Sequence, residues 1–210
     1  MGVKDDMKVM LTIATLLPAC LFEANAADTP SLVEKYIAQS FKQGENQDLS
    51  RLKQDQTQKE CSQYRNNPPP KIAAALTERE QATLKYPAEG KLIGDWKEGE
   101  KSVKMGFASR IGVIEPDKPN AKTGGNCYAC HAIDPKETAA GNLGPSLLGF
   151  GKLRGNSDAV AKYTYEKIYN AQAFNVCSSM PRLGYHNILT PEQIAHITAY
   201  LLDPESPVNK

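Results

Sequence analysis

Cys127-Tyr128-Ala129-Cys130-His131 constrains this chain more than any other five residues in it. Two thiols three positions apart, with an imidazole directly after the second, form the C-x-x-C-H pattern by which a porphyrin is held covalently. The thiols reach the two vinyl groups along one side of the ring, and the imidazole is brought beneath the iron. Other chemistries also use closely spaced cysteines. A zinc site needs a second ligand pair at comparable spacing, and the three His and the leftover Cys supply none. A redox dithiol wants a preceding strand and a βαβ setting, whereas residues 116–126 are rich in Gly and Pro. A plain disulfide is the remaining competitor. The pattern points to one covalent haem c, with Cys127 and Cys130 as attachment points and His131 as proximal ligand.

Around this motif the composition is that of an ordinary globular chain. Among 210 residues, 25 basic side chains stand against 24 acidic ones. That balance offers no broad cationic face, which argues against nucleic acid as a partner. No apolar run reaches the roughly 18 residues of a transmembrane segment. Val9 to Leu17 is nevertheless apolar, follows Lys4 and Lys8, and precedes Ala24-Asn25-Ala26. These are the three regions of a secretory signal over residues 1–26, with Ala27 as the first mature residue. Asp5 and Asp6 are unusual in such a leader, and a start at Met7 instead of Met1 gives a more ordinary one with the same outcome. Leu17-Pro18-Ala19-Cys20 also admits a lipoprotein reading with Cys20 lipidated; the proline and the better downstream cleavage site place it second. The expected location is periplasmic, where disulfides persist.

The mature chain divides into an extension over 27–93 and a main domain over 94–210. Thr29-Pro30 caps and opens a helix whose apolar face is Leu32, Val33, Tyr36, Ile37 and Phe41, stopped at Gly44. Residues 45–65 are so polar that any helix there is expected on the surface. After Pro68-Pro69-Pro70 a short helix resumes at Lys71, or at Thr77, where Glu80 would close a capping box. The extension is too poor in apolar residues to fold alone and is expected to lie on the main domain or on a partner. Trp96 to Arg110 reads as a helix weakened by Gly99 and Gly106, and residues 111–126 as loop. Thr190, Pro191 and Gln193 form a cap, a first-turn proline and a capping box, opening a final helix lined by Ile194, Ile197 and Leu201.

A motif this far from the C-terminus requires the pocket to be completed by residues that follow it. The layout of helix, attachment loop, covering loops and final helix resembles class I cytochrome c, which implies an all-α fold with an N-terminal helical extension. Asn142-Leu143-Gly144-Pro145-Ser146-Leu147 resembles that family's Gly-Pro segment. The resemblance implies that the carbonyl of Pro145 accepts the Nδ1 hydrogen of His131. The sixth iron ligand has to come from Met105, Met180, Cys177, His186 or His196. His196 falls off the apolar face of the final helix and is expected to face solvent. Met105 lies in the first helix of the main domain, where methionine usually fills packing gaps. Met180, in Ser178-Ser179-Met180-Pro181-Arg182, occupies the place from which class I cytochromes supply a methionine, and Pro181 keeps it extended. It leads, ahead of His186 and Cys177. The even remainder of Cys61 and Cys177 suggests a disulfide closing a loop of about 115 residues; two buried free thiols, or Cys177 as a thiolate ligand or reactive group, are the alternatives.

The segments Gly125 to His131, Gly144 to Leu147, Cys177 to Arg182 and Tyr200 to Asn209 together resemble the SoxX family, monohaem subunits of SoxAX cytochromes. The resemblance covers about residues 94–210. It implies a SoxA-like dihaem or monohaem partner, a SoxYZ-like carrier and a downstream cytochrome acceptor. It also implies a role within an L-cysteine S-thiosulfotransferase, in which this chain accepts electrons and is not catalytic by itself. A free-standing class I electron carrier is the alternative.

Overall fold

The computed structural model describes residues 29–41, 49–106, 111 and 122–210. The signal sequence, both possible start sites, Cys20, Gly44 and most of the expected loop before the haem motif lie outside them. Among the described residues there are no strands, and the all-α expectation holds. The helices are α1 (Thr29–Ser40), α2 (Gln56–Gln63), α3 (Pro70–Gln81), α4 (Trp96–Lys104), α5 (Phe150–Arg154), α6 (Asp158–Tyr169) and α7 (Pro191–Leu202).

Local sequence sets the start of α7. The Thr190 hydroxyl accepts from the Gln193 amide at 3.2 Å, and the Gln193 side chain accepts from the Thr190 amide at 3.0 Å. Two otherwise orphaned donors are thereby satisfied, and Pro191 occupies the first turn where no donor is missed. Ile194, Ile197, Tyr200 and Leu201 are buried. Each such side chain contributes about 1.5–3 kcal/mol relative to leaving it in water.

What α7 buries against is chiefly α4, the most extensive helix pair among the described residues. Gly99 permits the crossing. A Cβ at that position would stand 2.1 Å from the carbonyl oxygen of His196 and 2.9 Å from Tyr200 Cβ. Sequence alone treats Gly99 as a weakness in α4; the structure makes it the point where two backbones touch. Just before α4, the Gly94 amide donates to the Ala195 carbonyl at 3.0 Å, and the Asp95 amide donates to His196 Nδ1 at 2.7 Å. His196 is therefore half-buried against the start of α4 instead of facing solvent, because α4 covers that side of α7. Helix α4 also ends earlier than expected, at Lys104, with Met105 extended. Its last turn is used otherwise: Ser102 and Met105 give their carbonyls to the amides of Gly125 and Asn126 at 2.8 and 2.9 Å. The stretch just ahead of the haem motif is thus stitched to α4.

Helix α6 fastens residues 82–95. Tyr86, Tyr165 and Tyr169 stack in series, with centroids 5.6 and 6.3 Å apart. The Tyr165 hydroxyl donates to the Lys85 carbonyl at 2.8 Å, and the Tyr86 hydroxyl donates to Glu166. That carboxylate, with burial, pushes the Tyr86 phenol up to about 12.

Helix α2 departs from the expected surface helix, since Thr57 and Cys61 are buried. Both have distant partners: Cys61 is joined to Cys177 across a separation of 116 residues, and the Thr57 hydroxyl meets Glu80. Nor is Thr77 a cap. Helix α3 starts at Pro70, the Thr77 hydroxyl bonds back to the Ala73 carbonyl at 2.9 Å, and Glu80 is drawn inward. Helix α1 leaves Leu32, Val33 and Tyr36 exposed.

Beyond α7 the chain folds back on itself. Ser206 donates through its hydroxyl to the Tyr200 carbonyl, and Asn209 Nδ2 donates to the carbonyls of Leu201 and Asp203 at 3.0 and 2.9 Å. Asn209 Oδ1 accepts from the Gly151 amide at 2.9 Å, which ties α5 to the end of α7.

Because the α4–α7 approach leaves no room for a methyl group against backbone, Gly99→Ala is expected to destabilise the protein by about 2 kcal/mol or more. Chemical denaturation followed by circular dichroism measures it.

Candidate haem site

The five-residue motif begins with a single turn of 3-10 helix, Cys127–Ala129, entered from Asn126 in the left-handed region at φ 43°. The Cys130 and His131 amides both point back at the Cys127 carbonyl, at 3.2 and 2.9 Å. This tight winding turns both thiols and the imidazole out of one short segment. Cys127 and Cys130 are free and not bonded to each other, and among the described residues no cluster of His, Cys, Asp and Glu is arranged to hold a bare metal ion. The dithiol bridge and the zinc site therefore find no support in this geometry.

Pro145 stands where the Gly-Pro resemblance puts it. His131 Nδ1 lies 2.7 Å from the Pro145 carbonyl oxygen. A carbonyl can only accept, so Nδ1 carries the hydrogen and Nε2 keeps its lone pair for a metal. The contact also fixes the ring's rotation. Behind the ring lies Gly144, where a Cβ would be 2.3 Å from His131 Cε1 and within 2.8 Å of both ring nitrogens. The glycine backbone thus forms a flat wall against one face of the imidazole. Two backbone bonds hold that wall in place: the Gly144 amide donates to the Cys130 carbonyl at 2.8 Å, and the Leu147 amide to the Ala132 carbonyl at 2.8 Å.

Burial pushes the Cys127 thiol up to about 12. The half-buried sulfur is thus suited to a neutral thioether and ill suited to a thiolate nucleophile. Cys127, Tyr128, Leu147 and Met180 all pack on the same buried core, with Ile133, Leu183 and Leu189 among its members. A half-buried sulfur held in its neutral form, an imidazole with a free Nε2 and an apolar surround fit a covalent haem.

Two of the other sixth-ligand candidates have their donor atoms engaged: Cys177 is in the disulfide, and His196 Nδ1 accepts from the Asp95 amide. Met105 is held through its backbone, as the C-cap of α4. His186 is half-buried edge-on to Tyr185, 4.9 Å between centroids. Burial and the Arg182 guanidinium hold it below the ordinary imidazole range, with Asp55 opposing. Met180 is half-buried in the core that includes Cys127, and its amide donates to the Ser178 hydroxyl at 3.2 Å.

Comparison with known proteins bears on the domain that holds these residues. The family profile described as cytochrome c matches residues 121–203. Residues 121–203 are a cytochrome c domain. A protein of Aquifex aeolicus (strain VF5), named only as an uncharacterized lipoprotein, is 46% identical over 160 residues, covering 75% of this chain and 73% of the relative. A chain in the crystal structure of SoxXA from P. pantotrophus is 21% identical, covering 53% of this chain and 82% of that one, with a TM-score of 0.37. As a cytochrome c, the chain carries covalently bound haem c and has the class I helical fold.

Sequence reasoning missed two parts of this cytochrome's site. The wall at Gly144 was reached only through the adjacent proline. The buried charges beside the Met180 loop were missed entirely, although Arg182 next to an apolar loop is a signal that carboxylates must gather around it.

Gly144→Ala is expected to displace the His131 ring and cut the fraction of chain carrying haem severalfold, measured as pyridine haemochrome absorbance per mole of protein.

Proposed function

We propose that this cytochrome is a SoxX-like electron acceptor, with His131 and Met180 as the two axial ligands of a single haem. The observation that carries the reading is the His131 contact with Pro145, which leaves Nε2 free, together with Met180 seated on the core that also holds Cys127. Haem held by both His131 and Met180 would leave no position for substrate and would supply outer-sphere transfer of one electron at a time. Chain residues do the rest. Pro145 orients the imidazole, Gly144 walls it, and the apolar side chains around Cys127 keep water away, which limits reorganisation when charge changes.

The sulfur role rests on the resemblance of the segments around Cys127, Pro145 and Met180 and of the tail from Tyr200 to Asn209 to SoxX. Joining thiosulfate to a carrier cysteine forms one S–S bond and releases one proton and two electrons. A SoxA-like partner would hold the reacting sulfur, and this chain would take the electrons singly and pass them to a downstream cytochrome. In that assembly it is a subunit of an L-cysteine S-thiosulfotransferase.

Export to the periplasm is part of the proposal. The name of the Aquifex relative favours the Cys20 reading of the leader more than sequence alone did, which would tether the protein by lipid; no described helix is long and apolar enough to cross a membrane.

Two measurements test these statements. Met180→Ala is expected to keep haem attached and lose the near-infrared sulfur-to-iron band of the oxidised protein; a persisting band would sink the ligand assignment. Purification from the native host is expected to bring a SoxA-like cytochrome along, and the mass of the N-terminus separates Ala27 from a lipidated Cys20. Isolation as a partnerless monomer that reduces many proteins would favour a free-standing carrier.

A further inference from the structure

The segment carrying Met180 is gripped on both sides by residues from far up the chain. Ahead of it, Cys177 is bonded to Cys61 of α2 and holds a left-handed backbone, φ 61°, that a side-chain-bearing residue adopts only when its surroundings impose it. Behind it, the Arg182 guanidinium is buried, 3% exposed, and lies 4.4 Å from the Tyr185 ring centroid. Its Nη1 donates to Glu80 Oε2 at 3.1 Å, and its Nη2 donates to Asp55.

Glu80 is itself 2% exposed. One carboxylate oxygen accepts from the Thr57 hydroxyl; the other accepts from Arg182 and, at 2.7 Å, from Asn170 Nδ2. Asn170 also donates to the Thr83 hydroxyl at 2.9 Å. One side chain of α3 thus collects donors from α2, from the end of α6 and from the Met180 segment. Stability does not explain such a group, because apolar residues of similar volume usually stabilise a core as well as a buried ion pair does. A planar fork locked between two carboxylates supplies direction, fixing where the backbone that bears it can go.

We infer that Glu80 is a positioning residue for the haem ligand: acting through Arg182, with Asp55 sharing the guanidinium, it fixes the backbone beside Met180 while the Cys61–Cys177 bond fixes the other end. The inference rests on the reading of Met180 as the distal ligand. It gives the polar extension a task in the chemistry of the iron. Loosening the grip lets the thioether leave more often, so an added ligand captures the iron faster, whereas a grip that served folding alone would leave that rate untouched in the folded protein.

The test uses the full-length haem-loaded protein and compares Glu80→Gln, Arg182→Lys and Met180→Ala. Haem content, helical circular dichroism, the near-infrared band and the rate at which imidazole replaces the sixth ligand are measured on each. Glu80→Gln is expected to retain haem, helicity and the band while binding imidazole at least about tenfold faster. Arg182→Lys keeps the cation but loses the fork, and is expected to move the same rate in the same direction. Wild-type imidazole rates in both variants, with the band absent from Met180→Ala, overturn the positioning role and leave the ligand standing. A band that survives in Met180→Ala overturns the ligand assignment and the positioning role with it. Should Glu80→Gln fail to accumulate, Arg182→Lys decides by the same criterion.

Discussion

A backbone-to-backbone contact between α4 and α7, made at Gly99, sets the frame in which the haem site forms. Because α4 lies so close, its last turn can offer two carbonyls to the amides just ahead of Cys127, and α7 can present Ile194, Ile197 and Leu201 to the core that Cys127 shares. The attachment motif has little regular structure of its own, only one turn of 3-10 helix. Its conformation is imposed by what it is stitched to.

From that frame the site follows by short steps. The motif delivers His131, the segment after it folds back so that Pro145 meets Nδ1, and Gly144 leaves just enough space for the ring. The tail from Asp203 to Asn209, a stretch prominent in the SoxX resemblance, turns out to be architectural: Ser206 and Asn209 are buried and spend their hydrogen bonds on α7 and α5. Its likeness to that family therefore speaks for a shared fold before it speaks for a shared partner.

The parts legible in the sequence are those encoded by neighbours. Cys127, Cys130 and His131 announce a haem because their spacing is the chemistry, and the α7 cap is visible because Thr190, Pro191 and Gln193 act within one turn. The start of α6 was equally local, with Ser157 accepting from the Val160 amide and Ala161, Thr164, Tyr165, Ile168 and Tyr169 recurring at helical spacing, yet this helix went unread. Other features depend on pairs that no window contains. Glu80 looked like a capping residue for Thr77 because they are three apart; burial beside Arg182, 102 positions away, set its real use. The polar stretch that includes α2 looked solvated because its buried Thr57 finds its partner, Glu80, elsewhere in the fold; only the cysteine count pointed from Cys61 to Cys177. His196 was misplaced for the same reason, since helical phase cannot tell which helix will arrive to cover a given face.

The disulfide poses a problem of biogenesis. Four thiols, Cys61, Cys127, Cys130 and Cys177, can be paired in three ways. Loop-closure entropy favours joining Cys127 to Cys130, three positions apart, over the native bond that spans 116. Addition to vinyl groups requires both motif sulfurs reduced, while the bond that steadies the Met180 segment requires the other two oxidised. Under the proposed export both demands fall in one oxidising compartment, so porphyrin attachment and oxidative closure compete in time, and a chain whose motif thiols pair first is trapped with them locked together.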